Sequence, residues 1–380
     1  MKNKIRSFIA AVLLVSCVFG VTACGGTKTD GTGTESVKPT DTEEAGDTDA
    51  GTEQSVDTTP VSAATPSLSG AQTGATYAYY IRLDGIEGDS RNPQHEKWIS
   101  VIDFSYGASR TVQTGVPLSS DHGTYEPIVF THAVDKATPL IQRNCMSDKT
   151  FDTAEFHIVR TVAGQETVIC KAELKYLRFA KAEIKTVTAA DGTTSLVEEV
   201  TMFAEVEFYT SENDTSYGYT KGLSYYVKLD GFDGGCDEAA HAKWIPALGF
   251  SHGSEQELYP DSQMTTGNGT FLPVSFTQRI DNTTGTLLRR CYDGYWINSG
   301  TVDVTKSIAG KSETIYTVKL EKIKLVKVTV RSVTDENGFS YPIAEVSALV
   351  NKEAWTVSSI GLDISGSGKT EAEFDQTRKA

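Results

Sequence analysis

Histidine and cysteine are scarce in this chain of 380 residues, at six each. His95 and His241, the two histidines that recur at matching places, have no zinc-type ligand pattern around them. His122, His132, His157 and His252 are scattered. No convergent set of nucleophile, base and oxyanion donors is legible, so the chain reads as a non-enzyme with no cofactor. Basic residues are outnumbered, 35 Lys and Arg against 50 Asp and Glu, for a net charge of −15. That field repels phosphate and excludes nucleic acid as a partner. A phosphate loop is absent too, because Gly366-Ser-Gly-Lys-Thr370 has Asp363 where the pattern needs glycine. The acidic turns Asp84, Glu87, Asp89 and Asp230, Asp233, Asp237, Glu238 lack calcium-loop spacing and read as solvated carboxylates.

No apolar run is long enough to span a bilayer. The N-terminus instead has Lys2, Lys4 and Arg6, then an apolar run from Phe8 to Val21, then Val21-Thr22-Ala23-Cys24. This resembles the lipobox of bacterial lipoproteins. Residues 1–23 are the expected signal peptide and Cys24 the expected lipidation site, which places the mature protein outside the cytoplasm, anchored to the membrane. Large apolar side chains are almost missing from residues 24–75. That stretch cannot offset the entropy of ordering and is expected to be a disordered acidic Thr/Gly-rich spacer. Residues 359–380 are expected to be a polar, frayed tail.

Between these ends the sequence occurs twice. Tyr79-Tyr-Ile-Arg-Leu-Asp-Gly85 returns as Tyr225-Tyr-Val-Lys-Leu-Asp-Gly231, an offset of 146 residues. The same offset, without a gap, carries His95 to His241, Trp98 to Trp244, Phe130-Thr131 to Phe276-Thr277, Asp135 to Asp281, Cys145 to Cys291 and Leu174 to Leu320. The expected units are residues 76–210 and 223–358, with a linker at 211–222.

Each unit reads as mainly β. Val200, Met202, Ala204, Val206 and Phe208 alternate with Thr201, Phe203, Glu205, Glu207 and Tyr209, which predicts a strand with the first set on its dry face. Tyr316, Val318 and Leu320 follow the same period, which slips beyond Glu321, as a bulge or barrel corner requires. One short helix per unit is expected after Asp135 and Asp281, with Thr138 and Thr284 as N-terminal caps. Cys145, Cys170, Cys236 and Cys291 are available either as buried thiols or as the pairs 145 with 170 and 236 with 291.

The order Tyr-Tyr-x-x-Leu-Asp-Gly, His-x-Lys-Trp-Ile, Phe-Ser-x-Gly, Phe-Thr in both units resembles the Hcp family, the tube protein of type VI secretion. The resemblance implies two tandem small β-barrels, each with one short flanking helix. It also implies ring assembly, since members of the family form six-membered rings, and three duplicated chains would supply a pseudo-hexamer. Export, lipidation and duplication depart from that pattern. Two functions are therefore expected: a surface-displayed binding or assembly module, or a type VI secretion-like tube or carrier component.

Overall fold

The computed structural model describes residues 74–111, 123–147, 150–188, 192–213, 223–258, 265–308, 311–335, 338–358 and 369–375. The signal peptide, Cys24, the spacer up to residue 73 and His122 lie outside them.

Unit one contains β1 (Thr76–Leu83), β2 (Ile99–Ser109), β3 (Thr124–Tyr125), β4 (Ile128–Ala133), α1 (Thr138–Cys145), β5 (Phe151–Val162), β6 (Gln165–Thr188) and β7 (Thr194–Ser211). Unit two contains β8 (Leu223–Leu229), β9 (Ile245–Leu258), β10 (Thr265–Arg279), α2 (Thr284–Asp293), β11 (Ile297–Ile308), β12 (Lys311–Thr334) and β13 (Ser340–Ser358). A further strand, β14 (Lys369–Asp375), follows.

In unit one the hydrogen-bonded order β1-β5-β6-β7-β4-β2 closes on itself through β1–β2. Unit two repeats it as β8-β11-β12-β13-β10-β9, closed through β8–β9. Closure leaves each barrel without full-length exposed edges. The alternation in the sequence supplies the filling. Ile81, Phe130, Ile158, Leu174 and Val200 point inward in unit one, and Val227, Phe276, Val304, Leu320 and Val346 hold the matching places in unit two. Burying each such side chain stabilises the fold by about 1.5–3 kcal/mol.

Local devices repeat as well. Asp84-Gly85 and Asp230-Gly231 turn with glycine φ of 72° and 81°, a region that disfavours side chains. Tyr176 and Lys322 both have positive φ, 56° and 54°, and kink the long strands β6 and β12. The period slip beyond Glu321 lies at this kink and at the register shift between Leu325 and Lys327.

Three expectations need correction. The dry face of β7 does not run straight through: Glu207 is buried while Phe208 is 46% exposed. The phase flips where the kinked Tyr176 lies opposite the strand, and Phe208 moves out beneath the Lys175 ammonium, 5.6 Å away. The N-cap positions lie one residue upstream, at Ala137 and Thr283, neither helix has a side-chain cap, and an Asp turn precedes each. Asp135 accepts the amide of Ala137 and its own amide donates to Thr138 Oγ1; Asp281, Thr283 and Thr284 repeat the arrangement. Thr138 and Thr284 are thus the first helical residues rather than caps. The tail is not all frayed, because β14 pairs antiparallel along β13 from Lys352↔Asp375 to Ser358↔Lys369.

Candidate functional site: one closed and one open pair of strand edges

The two barrels are joined by backbone. Beyond its pairing with β11, the edge of β12 continues onto β2 of unit one, in the register Lys327↔Ser109, Val328↔Ala108, Thr329↔Gly107, Val330↔Tyr106 and Arg331↔Ser105. Val328 and Val330 are fully buried there. Charged and polar contacts flank the ladder: Lys327 meets Glu126 at 3.0 Å, Thr329 Oγ1 donates to Glu126 at 3.2 Å, and the Arg110 amide donates to the Val326 carbonyl at 2.8 Å. Ser332 Oγ donates to Asp103, whose carboxyl burial pushes above the usual range. These residues edge a cleft of about 240 Å³ lined also by Thr131, Glu199 and Arg331.

Helix α2 completes the junction. Cys291 Sγ donates to the Ala108 carbonyl at 3.3 Å, the Gly123 amide donates to the Tyr292 carbonyl at 2.6 Å, and Tyr125 stacks on Tyr292 with ring centroids 4.2 Å apart. At its N-terminus the Gly285 amide donates to Ser211 Oγ on β7. A Cβ on Gly285 would stand only 2.7 Å from the Tyr209 carbonyl oxygen, so glycine is what lets helix and strand meet.

The repeat carries every part of this junction to a second place, where it has no counterpart. The equivalent of β12 327–331 is β6 181–185, and β5 reaches only to Leu177 along that edge. The equivalent of β2 105–109 is β9 251–255, and β8 reaches only to Ala247. Each segment is paired on one edge, β6 181–185 with β7 and β9 251–255 with β10, and among the described residues no strand pairs with the other edge of either. The side chains differ accordingly: Ile184, in the place of the fully buried Val330, is 48% exposed, and Met146, in the place of Tyr292, is 90% exposed. Cys145 is partly exposed where Cys291 is buried.

The residues singled out from sequence sit elsewhere. His95 stacks on Tyr80 with ring centroids 4.3 Å apart and meets Trp98 edge-on; His241 repeats this with Tyr226 and Trp244. His95 Nε2 lies 2.8 Å from His157 Nδ1, and burial holds both rings below the usual imidazole range. In unit two Asp303 replaces His157 and faces His241 at 3.1 Å. His132 is buried against Glu198 at 2.9 Å. Asp233 is held by Lys228 and Lys243, and Glu87 by Lys97 and Lys136. Among the described residues no three His, Cys, Asp or Glu side chains gather as metal ligands, and no helix is long and apolar enough to cross a membrane. Cys145, Cys170, Cys236 and Cys291 are all thiols, so neither suggested disulfide forms.

Two groups escaped the sequence reading. Glu207 and Glu353, at matching places, are buried carboxyls inside the barrels. Tyr209 donates its hydroxyl to Glu207, while Glu353 takes the Trp355 indole N–H at 2.7 Å and lies 3.0 Å from His252 Nδ1. The only signal was their shared position in the repeat. The run Gly249-Phe-Ser-His-Gly253 has the spacing of a nucleophile elbow, yet it lies within strand β9 and its His252 faces Glu353 and Tyr316 rather than forming the strand-to-helix turn that chemistry requires.

Comparison with known proteins follows the same division into two units. The family described as "Type VI secretion system effector, Hcp" matches residues 80–209 and again 226–355. Among solved structures the chain is similar to Hcp1 from Salmonella typhimurium, at 17% identity over 41% of this chain and 96% of that one, with a TM-score of 0.34. It is similar to the secreted protein Hcp3 from Pseudomonas aeruginosa at 17% identity over 40% and 98%, TM-score 0.28. Hcp1 from Flavobacterium johnsoniae gives 12% identity over 40% and 98%, TM-score 0.28. No curated protein matches. With both units matched over nearly their whole length, this chain belongs to the Hcp family of type VI secretion, as a tandem duplication.

Proposed function

We propose that the protein is a non-enzymatic assembly module, displayed outside the cytoplasm by a lipid on Cys24, whose chains join head to tail into a ring of three. The carrying observation is the β12–β2 pairing within the chain, which leaves its own equivalents, β6 181–185 and β9 251–255, as complementary open edges. A junction between unlike surfaces repeats without limit unless its rotation closes. Three chains supply six barrels, the number the family resemblance implies for a ring. Transferring the internal register sets Lys181 opposite Glu255, Ile184 opposite His252 and Lys185 opposite Ser251. Lys181 and Glu255 are of opposite charge, which favours that register.

The test joins mass and chemistry. Light scattering on the chain over rising concentration is expected to climb toward three times the chain mass, and a zero-length carbodiimide link is expected between Lys181 of one chain and Glu255 of another. Ile184→Lys is expected to return the protein to single chains. A one-chain mass at every concentration with no such cross-link overturns the reading.

A second reading, a tube or carrier component of a type VI-like secretion apparatus, draws on the family membership. Genes for a sheath, baseplate and spike beside this one would favour it, and their absence leaves the display reading.

A further inference from the structure

The two ends of the proposed contact are not equally available, and the difference lies at the outer edge of β13. In unit one the matching edge, on β7, lies at the junction: the Glu207 carbonyl accepts the hydroxyl of unit one's own Tyr125, which stacks on Tyr292 of the second unit, the Tyr209 carbonyl lies against Gly285, and Ser211 Oγ receives the Gly285 amide. The offset of 146 carries Glu207, Tyr209 and Ser211 to Glu353, Trp355 and Val357. In a chain-to-chain contact built like the internal one, helix α1 of the next chain would dock here. The place is already taken, because β14 pairs Phe374, Ala372 and Thr370 with these same three residues.

We infer that β14 is a displaceable latch that covers the acceptor face of unit two and holds back chain-to-chain joining. The inference rests on the assembly reading above. Two segments claim one stretch of β13, and backbone already covered by a paired strand cannot also lie against a helix. The incoming helix is the weaker claimant. It has Pro139 where α2 has Gly285, and the internal junction leaves no room for a Cβ at that position, 2.7 Å from a backbone oxygen. The next chain must therefore dislodge β14 with a poorer fit than the internal helix enjoys. Among the described residues only the second unit carries such a strand, so the latch acts on one face of the chain and leaves the internal junction untouched.

The experiment compares three forms of the full chain by sedimentation over a range of concentrations: unaltered, Thr370→Pro with Ala372→Pro, and a form ending at Ser358. Proline cannot donate to a ladder, so the double substitution unzips β14 without shortening the chain. Circular dichroism confirms that each form is folded. Both altered forms are expected to assemble at concentrations about tenfold lower than the unaltered chain, equivalent to about 1.4 kcal/mol, and Ile184→Lys added to either is expected to reverse the gain. Equal assembly by all three forms overturns the latch and leaves the ring standing. Weaker assembly by the altered forms also overturns it and makes β14 part of the contact. If no form assembles, the assembly reading falls and the latch with it.

Discussion

At the scale of single residues, the buried carboxyl of Glu207 ties stability to pH. Burial pushes it up from 4.5 to about 9. The folded protein therefore keeps a proton that the unfolded chain releases, so the group's contribution to stability is complete below pH 4.5 and is lost progressively as pH rises toward 9. Between pH 5 and pH 8 the loss is expected to be about 2–4 kcal/mol. Urea titrations at the two pH values should show a smaller loss for Glu207→Gln, which keeps the shape and cannot ionise; equal losses would mean the carboxyl is charged in the fold. The thiols give a second check. Burial pushes Cys170 to about 11 and Cys291 to about 12, and thiolate is the reactive form. Maleimide followed by peptide mass spectrometry is expected to label Cys145 in the folded protein, and Cys170, Cys236 and Cys291 only in denaturant.

At the scale of elements, the helix-to-strand contact at Gly285 is the most sensitive point. Gly285→Ala sets a methyl against the Tyr209 carbonyl and is expected to cost about 1–3 kcal/mol, while Pro139→Ala at the matching position of α1, outside the internal junction, is expected to be near neutral there. Distance measurement between labels on the two units would report the difference as a widened spread for the first variant alone. The same contrast explains what could be read in advance. Strands, turns and the duplication were legible because Val, Ile and Phe at two-residue spacing, Asp-Gly pairs and a gapless offset are local signals. Ile184 and Val330 look interchangeable in a sequence, yet one lies open and the other is buried, because only tertiary pairing decides which copy of an edge is covered. The flip at Glu207 was hidden for a related reason: the kink that causes it lies at Tyr176, on the neighbouring strand. A seven-residue polar strand such as β14 carries no hydrophobic period strong enough to announce itself.

For the whole molecule, β2–β12 pairing makes one sheet path through both barrels, which couples their stabilities. Val330→Asp, placing an unpaired charge in the junction, is expected to split a single thermal transition into two, as seen by calorimetry; one unchanged transition would mean the barrels fold independently of their contact. The N-terminal reading has its own test. Labelled palmitate is expected to enter the protein and to be lost with Cys24→Ser, which should also release the chain from the membrane fraction.

Duplication changes the arithmetic of ring building. Six separate barrels must find one another in six encounters, and every contact depends on how many copies a cell makes. Fusing them in pairs turns three of those encounters into steps within one molecule, where local concentration is set by the connecting peptide instead of by expression level. On the proposed ring, a scarce two-barrel chain closes a circle that single barrels would need abundance to complete, and each fused chain is left with one contact on which control can act.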